Sequence, residues 1–459
     1  MEIPGCAILK SMIVLGAFAL ASLPVFAQRI SADAIKNNHF PQALRGHLDR
    51  SPDKSTHYVS LMGGQTGRSA VPDARPTEPA PPIVSPFFHT SSRSGSVNYG
   101  FLVGPNPFMG TEGVSTTVKT FLVPVVIKVH QVATDFSVDA NNYVIFTGIK
   151  NQDMTNDPTQ ASPACLGNTN NVPFTLAVQS PVFQNHHWVF GGTDLGDTQY
   201  PDAIQRANFW NATGTDPGNY HLHLDTQVLP PVVLDFPIGT GIGIPQSSAF
   251  AGYSACAPSV IVDLNLFDEY LDYITIPQLS SEGVNSGNFP MFIAGNVIWG
   301  YVSGNLPYYG PVASGYHSSS DVDPAQTYGV AQFGDERVFT WPSAEVLSHE
   351  VNEWINDPTA YNIVQDYNVS AANDPTGPIV CQDNYEVGDI LAGIDMPPVK
   401  GENGYTYTVQ EIAFFSYFYG GPSFGVNGWY SSNNTLTSDA GPACNLMSSS
   451  ATTENPAHD

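Results

Sequence analysis

One histidine and two glutamates stand close together in the last third of the chain, in the run Ser348-His349-Glu350-Val351-Asn352-Glu353. On a helix, residues four positions apart project from the same face, so this spacing would bring His349 and Glu353 together with Glu350 beside them. Imidazole and carboxylate groups so placed can share a metal ion, while the residue after the first ligand acts as a general base. The pattern predicts His349 and Glu353 as metal ligands and Glu350 as the base.

The apolar residues around the motif argue against the alternative, a solvated helix face that happens to carry one His and two Glu. They make most of the predicted helix core-facing, and they are Val346, Leu347, Val351, Trp354 and Ile355. Polar groups embedded in such a helix need partners. We therefore favour the metal site.

A third ligand must come from elsewhere in the chain. The best candidate segment is Cys381–Asp389, in which Glu386 and Asp389 stand among apolar and glycine residues, although a loop with structural carboxylates often looks the same. His317, after Gly315-Tyr316, could bind a transition-state oxyanion or the metal, or could be a loop histidine with a structural hydrogen bond. We keep His317 as a second candidate catalytic residue.

These motifs, in this order, resemble the secreted EXORDIUM (phosphate-induced) proteins of plants and their bacterial relatives. The similarity covers roughly residues 290–395 and rests on Gly315-Tyr316-His317, Ser348–Glu353, Asn356-Asp357-Pro358 and Glu386-Val387-Gly388-Asp389. The resemblance implies a zincin-like domain with His349 and Glu353 as ligands, Glu350 as base and Glu386 as third ligand. Zinc is the expected cation, but Glu353 replaces the second His of zincin peptidases, and oxygen ligands also admit manganese, iron or calcium.

The composition excludes some classes of partner. The chain has 459 residues, a net charge of −26 and only 12% charged residues, so it would repel nucleic acids and anionic membranes.

An apolar run from Met12 to Ala27 follows Lys10 and predicts a signal peptide over residues 1–27, and hence a secreted protein without a membrane anchor. Residues 28–95 form a Pro-rich, basic leader, read either as a pro-segment or as a disordered linker, before one acidic domain over 96–459.

Four cysteines remain after the predicted signal peptide: Cys165, Cys256, Cys381 and Cys444. An even number in an exported chain favours two disulfide bonds over free buried thiols. Local pairing would join Cys165 to Cys256 and Cys381 to Cys444, which is one of the three connectivities that four cysteines allow.

The elements expected to position these residues form a mixed α+β fold. Phe121–His130 is continuously apolar, as a buried strand would be. Further strands are predicted at Asn142–Ile149, Pro181–Phe190, Val260–Leu264, Met291–Tyr301 and Thr327–Phe333. Helices are predicted at Asp202–Trp210, Asn265–Tyr273 and Thr408–Tyr419. The motif helix is predicted to begin at Pro342 or Ser343 and to end before Pro358. Ser343 could cap the motif helix. His221 and His223 alternate on a strand-like stretch, where such pairs could chelate a metal but usually lie at the surface or fill the core.

Taken together, these features predict a zincin-like mixed sheet with an active-site helix and a C-terminal helix, in a secreted metal-dependent peptidase. Glu350 would take a proton from metal-bound water, and a peptide or protein substrate would lie along Thr327–Phe333 as an edge strand. A non-catalytic secreted or cell-surface protein with a structural metal site is the alternative. A third hypothesis is a carbohydrate-active enzyme that uses only Asp and Glu as its catalytic residues.

Overall fold

The computed structural model describes residues 83–440 except 93–94, 96, 110–114, 139–143, 162–171, 214–219, 246–248, 251–252, 255–257, 303–307, 321–324, 335–342, 361 and 369–380. The strands, in chain order, are β1 Val84–Thr90, β2 Val97–Val103, β3 Ser115–Val138, β4 Val144–Asn156, β5 His186–Phe190, β6 Thr193–Thr198, β7 His221–Val228, β8 Val232–Phe236, β9 Gly241–Ile244, β10 Ala249–Phe250, β11 Tyr253–Ser254, β12 Ser259–Asp263, β13 Phe289–Ala294, β14 Val297–Val302, β15 Tyr308–Ala313, β16 Gly315–Ser319, β17 Thr327–Gln332, β18 Ile363–Asn368, β19 Cys381–Asn384, β20 Val399–Lys400 and β21 Thr406–Tyr407. The α-helices are α1 Pro173–Val178, α2 Tyr200–Asn208, α3 Leu264–Tyr270, α4 Ile276–Leu279, α5 Glu345–Asn356 and α6 Phe415–Tyr419, with a π-helical turn at Leu271–Thr275 between α3 and α4.

The predicted strand Phe121–His130 lies within β3, the central strand of the fold. Its side chains alternate between two apolar clusters. Leu122 packs in the cluster that contains the apolar residues of α5, while Phe121 and Val123 pack in the cluster on the other face. Burial on both faces explains why the sequence of this strand is continuously apolar rather than alternating.

β3 joins the two parts of a single mixed sheet of 11 strands. Its first half pairs in parallel with β13 and β7, and its second half pairs with β8 and β4. From β4 the sheet continues through β15, β14, β12 and β9, and β9 meets β3 again at Val132–Gly243. This part of the sheet is therefore a nearly closed barrel, and the predicted mixed α+β class is confirmed.

The other part of the sheet carries the motif helix. It runs from β3 through β13 and β17 to β16, and α5 packs against β16 and β17. The prediction that Thr327–Phe333 is an edge strand is wrong, because β17 is paired on both sides, in parallel with β13 and antiparallel with β16. Within the described part of the chain, the outer strand here is β16.

The motif helix begins two residues after the predicted Ser343, and the predicted start of the last helix at Thr408 is wrong. In both places, polar groups make tertiary contacts instead. α5 begins at Glu345 after Ala344, and the Ser343 hydroxyl accepts from Thr408 N rather than capping the helix. The last helix is only Phe415–Tyr419. The preceding residues are extended, with Gln410 bridged to Asp395 and Ala413 bridged to Ser431.

The remaining predicted elements differ in detail from the structure. Met291–Tyr301 is two strands, β13 and β14, separated by Asn296 with a positive φ of 49°. Only the second half of Pro181–Phe190 is a strand. Val84–Thr90, which the sequence places with the leader, forms β1 and pairs with β2.

The predicted signal peptide and most of the predicted leader lie outside the described residues, as do Cys165, Cys256 and Cys444, so both predicted disulfide bonds include a cysteine that is not described. Among the helices of the described residues, none has the length and apolar character needed to cross a membrane.

Candidate metal centre

Helix α5 brings the predicted motif residues together as the spacing requires. His349 Nε2 lies 3.0 Å from Glu353 Oε2, one helical turn away. Glu350 and Glu353 are both buried. The helix is held against the sheet by Trp354, whose ring stacks on Phe289 with centroids 3.6 Å apart and whose Nε1 donates to Thr327 Oγ1 at 3.0 Å. These contacts hold α5 against β13 and β17 and so fix the direction in which its polar residues point.

The segment after β19 approaches the same carboxylate. The backbone N–H groups of Gly388 and Asp389 donate to Glu353 Oε1, at 3.0 and 3.2 Å, which leaves Oε2 facing His349. The Asp389 carboxylate lies 3.5 Å from His349 Nε2. His349, Glu353 and Asp389 form a group whose ligand atoms lie within 4.8 Å of one another.

The structure places Glu386, the third ligand that the resemblance implied, beside His317. Its Oε2 lies 3.8 Å from His317 Nε2, and Glu386 belongs to none of the ligand groups that the described residues form. Asp389, three residues further along, stands beside His349 instead. The sequence contained both carboxylates, but their spacing does not reveal which one the turn directs toward the helix.

His317 lies on β16, not in a loop, and it faces the motif helix. Its Nδ1 lies 3.7 Å from both Glu350 Oε2 and Glu353 Oε2. Its Nε2 lies 2.9 Å from the backbone carbonyl oxygen of Asp357, which gives the ring the structural hydrogen bond that the sequence analysis considered. His317, Glu350 and Glu353 form a second group of possible ligands that shares Glu353 with the first.

A glutamine on the extended segment before α6 orients His349. Gln410 Oε1 lies 2.9 Å from His349 Nδ1, and Gln410 Nε2 donates to the Gly388 carbonyl oxygen at 2.6 Å. A donated Nδ1–H leaves the lone pair of Nε2 directed toward Glu353 and Asp389. Metal-binding histidines commonly have their second nitrogen held in this way. The next residue, Glu411, accepts hydrogen bonds from Ser431, Asn433 and Thr435 instead.

Within the described residues, the negative charges of the carboxylates near the centre are poorly neutralised. Burial raises the pKa of Glu350 to about 7 and that of Glu386 well above its usual range. Both Glu386 oxygens and Glu350 Oε2 are buried without a hydrogen-bond partner among the described residues. Burial would also raise the pKa of Glu353, but the adjacent His349 lowers it overall.

Buried carboxylates of this kind need a cation or a proton, because an isolated buried charge is strongly unfavourable. For His349 and His317, burial alone would lower the pKa of the imidazole, but the neighbouring carboxylates raise it overall. A dication could replace these protons and compensate the acidic groups. Histidine and carboxylate donors fit zinc, manganese or iron, so the centre can hold a metal ion whose identity the donors leave open.

Two glycines leave space for the functional side chains. A Cβ on Gly388 would lie 2.7 Å from His349 Nδ1, and a Cβ on Gly315 would lie 2.7 Å from Glu350 Cγ. Neither glycine has a positive φ, so the requirement is for space and not for an unusual backbone conformation. The sequence motifs contained both glycines, but only the tertiary structure shows which side chain each one accommodates.

No protein-family model, curated protein or solved structure matches this chain. The function is therefore inferred from the geometry of the centre.

Proposed function

We propose that this chain is a metal-dependent hydrolase that cleaves peptide bonds. The observation that carries the proposal is the buried group His349–Glu353–Asp389, with His349 oriented by Gln410 and with Glu350 on the same helix. A dication bound there would polarise a scissile carbonyl and make a water molecule more acidic. The zincin-like relationship and the resemblance to the EXORDIUM proteins remain part of this proposal, as does export from the cell.

Glu350 is the proposed general base. A base is most effective when its pKa lies near the working pH, and burial raises the pKa of Glu350 to about 7. Its carboxylate is held between α5 and β16, with Oε2 3.7 Å from His317 Nδ1. In this proposal Glu350 accepts the proton of the attacking water and delivers it to the leaving amine, while His317 keeps Glu350 in position.

An extended peptide is the proposed substrate. β16 carries His317 and is paired only with β17 within the described part of the chain. A peptide that added to β16 through main-chain hydrogen bonds would run past His317 and Glu350. This arrangement would place a scissile bond close to the base.

The test compares Glu350→Gln with His349→Ala, using metal analysis and turnover of a peptide library. We expect Glu350→Gln to retain the fold and the metal and to lose about 10²- to 10⁴-fold in turnover, which is the usual contribution of a general base. His349→Ala is expected to lose the metal as well. Glu402→Gln, at an exposed position, is the control and should match the wild type.

Peptide turnover by Glu350→Gln at the wild-type rate would contradict the assignment of the base. A wild-type protein without a tightly bound metal would contradict the centre itself.

The second candidate function is a structural metal site in a non-catalytic protein. The burial of the ligands favours it, because the side chains of Glu353 and Asp389 are only 2% and 7% exposed and that of His349 is 13% exposed. Bound metal that is lost in His349→Ala, combined with no turnover of any peptide by the wild type, would support this alternative.

A further inference from the structure

A pair of histidines lies on strand β7, apart from the motif helix α5. His221 and His223 are two residues apart on this strand and therefore point to the same side of it. Helix α2 lies beside this strand and contributes Asp202. The three residues form a further group whose ligand atoms lie within 4.8 Å of one another.

The two imidazoles are close and partly accessible. Their rings are stacked, with centroids 5.0 Å apart and an interplanar angle of 16°. The His221 side chain is 27% exposed, so a cation from solvent can reach it. Lys119, on the adjacent strand β3, is ion-paired with Asp225 at 3.1 Å, which reduces its repulsion of a cation.

Asp202 holds the first histidine in a fixed orientation. Asp202 is fully buried, and its Oδ2 lies 2.8 Å from His221 Nδ1. The carboxylate is itself held by Leu222 N at 2.6 Å and by the Thr198 hydroxyl at 2.6 Å. With Nδ1–H donated to Asp202, the lone pair of His221 Nε2 is free for a cation. A carboxylate that orients a histidine in this way is a common support of metal-binding imidazoles.

We propose that His221 and His223 form a second divalent transition-metal site, separate from the buried centre and supported by Asp202. Imidazole donors favour zinc, copper or nickel over calcium or magnesium. A cation that binds this arrangement of β7 in the folded protein and not in the unfolded chain would stabilise the fold.

The experiment measures how many zinc ions the full chain binds. Wild type, His223→Ala and the control His130→Ala are stripped with a chelator and titrated with zinc alone, and bound zinc is counted after gel filtration. His130 is a matched control because its two ring nitrogens already lie 2.7 Å from the carboxylates of Asp153 and Asp235. We expect His223→Ala to bind one zinc ion fewer than the wild type and His130→Ala to bind the same number.

Thermal unfolding provides a second measurement. Zinc should raise the Tm of the wild type by a larger amount than that of His223→Ala, because one of the stabilising ions no longer binds. Equal zinc stoichiometry in wild type and His223→Ala would overturn the proposal, and so would a wild type that binds no zinc.

This outcome is independent of the proposed hydrolase. Peptide turnover should be unchanged in His223→Ala and lost in His349→Ala if both proposals hold. Loss of one zinc ion in His223→Ala, together with no turnover by the wild type, would support the second site and reject the hydrolase.

Discussion

Gly388 and Gly315 occupy positions where the backbone passes directly beside a functional side chain. The turn containing Gly388 faces the His349 ring, whose carbon and nitrogen atoms would lie within 2.8 Å of an added Cβ. The Gly315 backbone faces Glu350 and Val346 in the same way. The two positions therefore allow the proposed metal ligand His349 and the proposed base Glu350 to be perturbed one at a time.

Gly388→Ala is expected to weaken metal binding. The added methyl group must displace the His349 ring or the turn, and either shift disturbs the hydrogen bond between His349 and Gln410. Loss of such a supporting contact typically lowers metal affinity about 10- to 100-fold. Competition with a zinc chelator measures the effect. Gly393→Ala is the control, since its positive φ costs stability but its Cβ meets nothing within 4 Å. Wild-type affinity in Gly388→Ala would show that the ring is not held as described.

Gly315→Ala is expected to impair catalysis while leaving the metal in place. An added Cβ would lie 2.7 Å from Glu350 Oε1 and Cγ, so the carboxylate must shift from its present position. A displaced base should lower turnover by about 10²-fold, the lower end of the contribution of a general base. Metal content and peptide turnover are measured on the same preparation. Unchanged turnover would argue that Glu350 is not the base.

At the scale of single elements, the beginning of α5 carries a buried glutamate, Glu345, near the partly buried Asp395. Burial, followed by the charge of Asp395, raises the pKa of Glu345 from its ordinary 4.5 to about 8. The backbone N–H of Gly393 donates to Glu345 Oε1 at 3.0 Å. The folded protein therefore binds a proton on Glu345 more tightly than the unfolded chain does.

Glu345→Gln is expected to remove a pH dependence of stability. Because the folded pKa is the higher one, the wild type loses stability as the pH rises from about 4.5 to about 8. Gln retains the acceptor for Gly393 N–H but carries no charge. The variant should be more stable than the wild type by on the order of 4 kcal/mol at pH 8, and about equal to it at pH 4.5. Urea unfolding at both pH values checks this, and an equal difference at both values would contradict it.

The sequence predicted those elements whose local pattern and tertiary surroundings agree. The apolar run of β3 and the four-residue spacing of His349 and Glu353 are of this kind, because burial on both faces and helical geometry leave direct marks in the sequence. The prediction of a helix over all of Thr408–Tyr419 was wrong because Gln410 makes tertiary hydrogen bonds. Its backbone N–H donates to Ser348 and its side chain bonds to His349. The sequence named both Glu386 and Asp389 but could not show which of them lies beside His349, since the direction of a turn is set by distant contacts.

At the scale of the whole molecule, the N-terminal hairpin is tied to distant parts of the chain. Phe101 exchanges two backbone hydrogen bonds with the side chain of Asn362, at 2.8 and 2.7 Å, just after α5. Asn362 Nδ2 also donates to the Asn356 carbonyl oxygen at 2.7 Å. Ser92 N donates to the Tyr419 carbonyl oxygen at 3.1 Å. The hairpin of β1 and β2 thus supports both the end of the motif helix and the short C-terminal helix α6.

Phe87 and Phe88 test the contribution of this hairpin, since adjacent strand residues point to opposite faces. Phe87 is fully buried and packs edge-on against Phe415 and Tyr419, with centroids 5.5 and 5.9 Å apart, whereas Phe88 is 53% exposed. Phe87→Ala should lower the free energy of unfolding by about 3 to 5 kcal/mol, and Phe88→Ala by less than about 1 kcal/mol. Urea unfolding of the two variants gives both values. Equal, small losses would mean that β1 does not contribute to the core, and that the folded domain begins after it.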